Sequence, residues 1–410
     1  MKKLEMIEKK RLCILLVILE GLIFLRDYGG YVNSYNSSIF ALSYKYGFIS
    51  RGLSGTIFRV VNKVLPFDIM NYNGVLRYSQ AVTVIFMLLV WLFCFYLIYK
   101  SNEDNYRHIQ IVSILLVVFS ITFFSNSFNF GRVDIYLVAT AIVCVLILVW
   151  RKMEWLIMPL SCFAVMFHQA YVFMFFNVTL VILIYRFIES EKKGKIKYSI
   201  LFILSFIGAS ALFLYLNFFA HTSDISIYNN VVEEAIVLSK EDEGYHMALL
   251  QHEVLGIDPT TSEWEHHLKN FVEFPIFAII MLPYIILVIR IFVNTIRETT
   301  ENKDKFKYII LALGVLTIVP NLILKVDYGR WMFSIIVYYI LIFAFLIAIK
   351  DKQVIPVLNR EIDKIKAKPF VFIFYVLPLM VTPMWDVSIS MVSAHLAGDL
   401  NNNLLHLWVD

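Results

Sequence analysis

A succession of long apolar runs constrains this chain more than any other feature. They cover roughly residues 12–25, 79–99, 109–125, 133–150, 155–168, 170–185, 198–219, 270–289, 308–324, 331–349 and 369–386. A helix needs about 20 predominantly apolar residues to cross a bilayer. Only 17% of the chain is charged, against about 25% in soluble domains. The sequence therefore predicts an all-α polytopic membrane bundle of about 11 transmembrane helices, forming one integral-membrane domain over residues 1–410. The stretch from Trp155 to Tyr185 is too long for one helix and short for two. Arg151 and Lys152 precede it, and Arg186, Lys192 and Lys193 follow it. An even number of crossings keeps these basic groups on one side, so the stretch is split at His168-Gln169. A short pair of this kind thins the membrane locally or leaves a dip.

Lysine and arginine set the expected orientation. With a cytoplasmic N-terminus, the inner segments are 1–11, 100–108, 151–154, 186–197, 290–307 and 350–368, and they hold 25 of the 36 basic residues. The expected location is a bacterial cytoplasmic membrane, crossed many times. Leu12 to Leu25 follows a basic start without a small-residue cleavage site, so it reads as a retained helix. Cys13, Cys94, Cys144 and Cys162 all fall in apolar runs, which argues against a disulfide framework or a cysteine metal site. The inner loops are short and basic. They carry no phosphate-binding glycine motif and leave no room for a nucleotide domain.

Three longer pieces remain on the outer side: the loop 26–78, the loop 219–269 and the tail 387–410. In the first, Ile57, Val60, Val61, Val64 and Leu65 recur at helical spacing, with Arg59, Asn62 and Lys63 opposite. This is the pattern of an amphipathic helix lying in the membrane interface. The second loop holds His221, His246, His252, His266 and His267 without a zinc-like spacing, so no metal is expected. Its Glu233, Glu234, Glu241, Asp242 and Glu243 read as a solvated face.

Charge at an outer membrane junction is costly unless it pairs, reaches water or meets a ligand. Three junctions carry it: Arg26-Asp27-Tyr28, Gly131-Arg132-Val133-Asp134 and Lys325-Val326-Asp327-Tyr328-Gly329-Arg330-Trp331. Arg26, Arg51, Arg132, Lys325 and Arg330 are candidate phosphate ligands, since a guanidinium presents a planar fork to an oxyanion. Asp27, Asp134, His168 and Asp327 are candidate bases, and Tyr28, Tyr328 and Trp331 candidate sugar platforms. Each also has a plain structural reading. Asp327 and Arg330, three apart, form an interfacial pair if the helix starts early. Arg132 and Asp134, two apart, point to different faces of a helix. Asp134 favours its own helix N-terminus, His168 is a lone histidine in an apolar run, and Trp331 belongs to an aromatic belt. Glu20, within the first helix, has no assigned role.

An outer-face site has no access to cytoplasmic nucleotides, so group transfer there needs a donor already carried across the membrane. With arginine and aspartate at the junctions Gly131-Arg132-Val133-Asp134 and Asp327-Tyr328-Gly329-Arg330, the chain resembles bacterial surface-polysaccharide polymerases of the Wzy and EpsG-like kind. The acidic Asp27 after helix one, followed by a long outer loop, resembles the layout of GT-C integral-membrane glycosyltransferases. Both resemblances imply transfer of saccharide from a polyprenyl phosphate or diphosphate at the outer face. They imply no cofactor and no metal. The implied partners are lipid-linked donor and acceptor, membrane lipids and other polysaccharide-assembly proteins, with no nucleic acid. The rival classes are a flippase or transporter of an anionic saccharide and an outer-face acyltransferase. Against transport stand the lack of an internal repeat and of glycine- or proline-broken helices in matching halves.

Overall fold

A computed structural model describes residues 2–28, 30–126, 129–257, 273–324, 328–368, 370 and 373–375. These residues are overwhelmingly helical, and no named strand occurs among them; Tyr28 and Asn126 form an isolated antiparallel bridge. Five helices are long and apolar enough to cross a membrane: Tyr72–Lys100, Tyr106–Ser125, Lys192–Phe218, Asn302–Leu322 and Gly329–Ala348. Of the other apolar runs, 12–25 lies in a continuous 26-residue helix with a charged start, most of 369–386 lies outside the described residues, and the rest form shorter or interrupted apolar helices.

The chain starts with α1 (Lys2–Asp27), α2 (Ser34–Ile39) and α3 (Gly52–Val64). Next come α4 (Tyr72–Lys100), α5 (Glu103–Ser125) and α6 (Asp134–Trp150). Asn71 caps α4 by accepting the Gly74 amide at 2.9 Å, which meets one of the unpaired donors of a helix start. α7 (Ile157–Phe167) stops because His168 is extended; the chain resumes as α8 (Tyr171–Met174) and α9 (Phe176–Glu189). The break thus falls where the sequence divides the apolar stretch. α10 (Lys192–Phe218) is followed by α11 (Ile225–Leu238), α12 (Met247–Leu250) and a π-turn over Gln251–Leu255.

Beyond it stand α13 (Glu273–Ile280) and α14 (Leu282–Glu298), with Pro283 in the first turn of α14. The run expected as one helix over 308–324 is interrupted. α15 (Asn302–Leu313) passes into a 3-10 turn over Gly314–Ile318 before α16 (Val319–Leu324). A Cβ on Gly314 would stand 2.4 Å from the Tyr338 hydroxyl. Glycine therefore lets the neighbouring helix approach, and Asn177 donates to the Gly314 carbonyl at 3.1 Å. α17 (Tyr328–Ala348) and α18 (Val354–Lys366) follow.

Two apolar cores organise these elements. The larger runs through the bundle and holds Leu116, Phe123, Val138, Ile182 and Leu341, all almost fully buried. The smaller one joins residues of the two long loops: Phe40, Ile49 and Phe58 from the first meet Val231, Leu238, Leu250 and Val254 from the second. The loops therefore fold on each other as a cap over one end of the bundle.

The loops follow expectation in part. Helix α3 forms, and Val60 and Val64 are exposed on it as an interfacial face requires. Arg59, however, turns inward: it donates to the Phe40 carbonyl at 3.0 Å and pairs with Glu234. Glu234 also pairs with Lys45, and Glu243 accepts the Ser34 amide at 3.2 Å. The acidic stretch thus touches the first loop at Glu234 and Glu243, while Glu233, Glu241, Asp242 and Glu243 are exposed, as a solvated face requires.

Candidate functional site

Under the cap, charge gathers at the end of the bundle. Gly131 has φ +81°, and a Cβ there would lie 2.9 Å from Val32. That left-handed turn, open to glycine, sets Arg132 just ahead of α6 and Asp134 as its first residue. Asp134 is 0% exposed. Its Oδ2 meets Arg132 Nε at 2.9 Å and its Oδ1 accepts from Arg330 Nη2 at 2.6 Å. Arg330 reaches it from the first turn of α17. The guanidinium of Arg330 also lies 5.1 Å from the centre of the Trp331 ring. Arg132 donates to Asn129 Oδ1 at 2.8 Å and stands 6.0 Å from the Tyr35 ring.

Tyr35 links this triad to a second buried pair. Its hydroxyl accepts from Arg51 Nη1 at 2.7 Å, and Arg51 Nε stands 3.0 Å from Glu253 Oε1. Arg51 is held in the left-handed region, φ 55°, at the start of α3. Such strain in a residue other than glycine persists only where surroundings enforce it. Glu253 comes from the π-turn and is 1% exposed. Its Oε2 accepts from the Ser50 hydroxyl, and Gln169 donates to that same hydroxyl. Burial alone would raise the Glu253 pKa. Arg51, then His252 and Ser50, outweigh it and pull the carboxyl down to about 2. Burial alone would likewise lower the Arg51 pKa, but Glu253, Tyr35 and Asp134 together raise it.

Among the described residues, three guanidiniums and two carboxylates thus meet in a largely buried cluster. Arginine forks in such a place suit an oxyanion, above all a phosphate. A cavity of about 10 Å³ lies beside Arg132, Asn129 and Tyr136, room for about one water. A much larger apolar cavity, about 320 Å³, opens between α5, α13, α14, α17 and α18. Its lining includes Phe119, Met332, Ile336, Leu358 and, as a polar group, His108. Among the described residues, no group of three or more His, Cys, Asp or Glu side chains is arranged to hold a metal ion.

The sequence candidates are placed unevenly. Arg51, Arg132, Asp134 and Arg330 are joined through direct contacts and Tyr35. Arg132 and Asp134 meet instead of diverging, since Arg132 precedes the helix and is free of its periodicity. Arg26 and Asp27 bind each other, Nε to Oδ1 at 2.5 Å and Nη2 to Oδ2 at 2.7 Å, and no contact described for them reaches Asp134. Tyr28 stacks on Phe24, meets Phe130 edge-on and takes a hydrogen bond from Gln80, so its ring is packing rather than an open platform. Trp331 is 2% exposed, which closes it to a sugar and removes it from an aromatic belt. The Nδ1 of His168 accepts the Ala170 amide at 3.1 Å. Lys325, Asp327 and the side chain of Tyr328 lie outside the described residues, as do His266 and His267. Sequence reasoning missed Glu253, Tyr35, Ser50 and Gln169. The one available signal was an acid beside His252 in the second loop.

No family model, curated protein or solved structure matches this chain.

Proposed function

We propose that the protein is an integral-membrane glycosyltransferase of the polymerase kind. It joins saccharide units carried on polyprenyl phosphate or diphosphate in the synthesis of a surface polysaccharide. The reading includes about eleven crossings, a cytoplasmic N-terminus and a capped end facing outward from a bacterial cytoplasmic membrane, as the lysine and arginine bias favours. One observation carries it: Arg51, Arg132 and Arg330 buried together around Asp134 and Glu253 at the capped end. The apolar cavity supports it, offering hydrocarbon walls along α17, the helix that carries Arg330.

The chemistry follows from the pairing. Both carboxylates are held by guanidiniums at rest. A phosphate arriving at Arg132 and Arg330 competes for the same N–H groups and loosens their hold on Asp134. The acceptor hydroxyl attacks the anomeric carbon of the donor, and the bond from that carbon to the carrier oxygen breaks. The hydroxyl proton passes to the freed carboxylate. The departing phosphate or diphosphate keeps the electron pair and stays against the arginines, which stabilise the charge as it develops. The step uses no nucleotide and no cofactor.

The second reading, a flippase for a lipid-linked saccharide, draws on the helix interrupted at Gly314, since broken helices also build transport sites. Deletion of the gene in its native host distinguishes the two. Loss of long chains, with single lipid-linked units accumulating on the outer face, supports the polymerase. Long chains lacking one sugar mean a single-sugar transferase. Units trapped on the inner face mean a flippase and overturn the proposal.

A further inference from the structure

The cap carries a second cavity, set apart from the arginine cluster in character. It measures about 540 Å³, within the range of pockets that hold small ligands. One wall is a face of α11: Asn230, Glu233, Glu234 and Val237 follow the i, i+3, i+4, i+7 spacing that aligns side chains on a helix. The other wall is Lys45 and Tyr46, with Met70 beside them. The Tyr46 hydroxyl donates to the Asn230 carbonyl at 3.3 Å, and the Lys45 ammonium lies 4.5 Å from the Tyr46 ring centre.

Its charge balance differs from that of the arginine cluster. Glu234 is paired with both Lys45 and Arg59. Glu233 is exposed and, among the described residues, has no ion-pair partner. Lys45 thus faces Glu233 and Glu234 in the lining, with Arg59 beside Glu234, so the groove has no positive surplus to attract a phosphate. It offers an amide, a carboxylate and an ammonium between apolar surfaces of Tyr46, Met70 and Val237. That mixture matches a neutral polyol, whose hydroxyls donate and accept while its ring C–H faces pack on apolar side chains. Tyr46 and Arg51 share one stretch of chain and are separated by at most about 18 Å of extended backbone. A saccharide seated in the groove is therefore within reach of the arginine cluster.

We propose that this groove, between α11 and the Lys45–Tyr46 turn, binds the neutral saccharide chain that the cluster extends. The inference rests on the glycosyltransferase reading and adds a subsite to it: anionic carrier at the arginines, uncharged sugars on the cap.

The test is direct binding by the full chain in lipid nanodiscs. The probe is an array of immobilised oligosaccharides of two to six hexose or N-acetylhexosamine units, beside uronate- and phosphate-bearing chains. Asn230→Ala and Glu233→Ala are compared with wild type, with thermal melts as a check on folding, and Asp242→Ala, at an exposed position of the cap outside the groove, serves as the control. Wild type is expected to bind neutral chains. Each groove variant should weaken binding about tenfold, the scale of one lost polar contact, while Asp242→Ala leaves it unchanged. Absence of any bound neutral chain overturns the proposal. So does binding confined to charged chains, or binding retained in both groove variants. These outcomes leave the glycosyltransferase reading standing, because that reading is decided by the deletion phenotype.

Discussion

Replacing Asp134 by alanine tests the buried charge cluster most severely. The side chain is 0% exposed and receives two guanidiniums, at 2.6 and 2.9 Å. Removing it takes the shared carboxylate from two largely buried cations. Arg132 keeps Asn129 and the Tyr35 ring, and Arg330 keeps the Trp331 ring. These contacts soften the loss without replacing the carboxylate. Breaking one buried ion pair costs about 3–5 kcal/mol, and the same range is expected here. Arg330→Ala should cost less, about 1–3 kcal/mol, because Arg132 still serves Asp134. In the double variant only Arg132 has lost its carboxylate, so the cost should fall short of the sum by at least about 1 kcal/mol. The assay is reversible unfolding of the purified protein in mixed SDS–detergent micelles. An Asp134→Ala loss below about 1 kcal/mol, or strict additivity in the cycle, would refute the account of a coupled triad.

Further outcomes follow from other residues. Glu253 has its carboxyl pulled down to about 2 in the folded protein, below the ordinary carboxylate value of about 4.3. The stability it contributes is complete above the unfolded pKa and is lost as pH falls toward 2. Wild type should therefore lose more stability between pH 5 and pH 3 than Glu253→Gln does, read as melting temperature against pH. Gly131→Ala should cost about 1–3 kcal/mol, because a left-handed φ of +81° and a Cβ 2.9 Å from Val32 both oppose it. It should also shorten the polysaccharide, since that turn sets Arg132 and Asp134; a normal melt with normal product would contradict the assignment. Glu20 is buried in α1 and, among the described residues, its Oε1 has no hydrogen-bond partner, so Glu20→Gln should be neutral or stabilising by about 1 kcal/mol. A large destabilisation in the same unfolding assay would mean that Glu20 has an energetic role not described above.

The sequence is most readable where the physics is local. Long apolar runs announce helices, because hydrocarbon burial requires contiguous chain. The division at His168-Gln169 is readable because basic groups on both sides demand an even crossing. The helix of 52–64 is readable from its spacing, yet the inward turn of Arg59 is not, since its partner Glu234 belongs to another loop. The same limit governs the site. Arg132, Asp134, Arg51 and Arg330 stand out as charges in costly places, but their partners are set by tertiary packing. Ser50 and Glu253 are 203 residues apart, and no periodicity links them. Trp331 is misread as an open ring because sequence gives its height along the helix, not its azimuth. Arg132 and Asp134 are misread because the helix starts at Asp134, a boundary set by the glycine turn.

Reconstitution tests the central claim most directly. Lipid-linked saccharide extracted from a strain lacking the gene is supplied to purified protein in liposomes, with wild type beside Arg330→Ala and Arg330→Lys. Products are followed by mass spectrometry. Wild type is expected to release polyprenyl phosphate or diphosphate and to lengthen the saccharide by whole units. Arg330→Ala should be inactive, and Arg330→Lys strongly impaired, because lysine keeps the charge and loses the fork. Unchanged lipid-linked saccharide with wild type, or equal lengthening by Arg330→Ala, would contradict the assignment of this buried cluster as the site of glycosyl transfer.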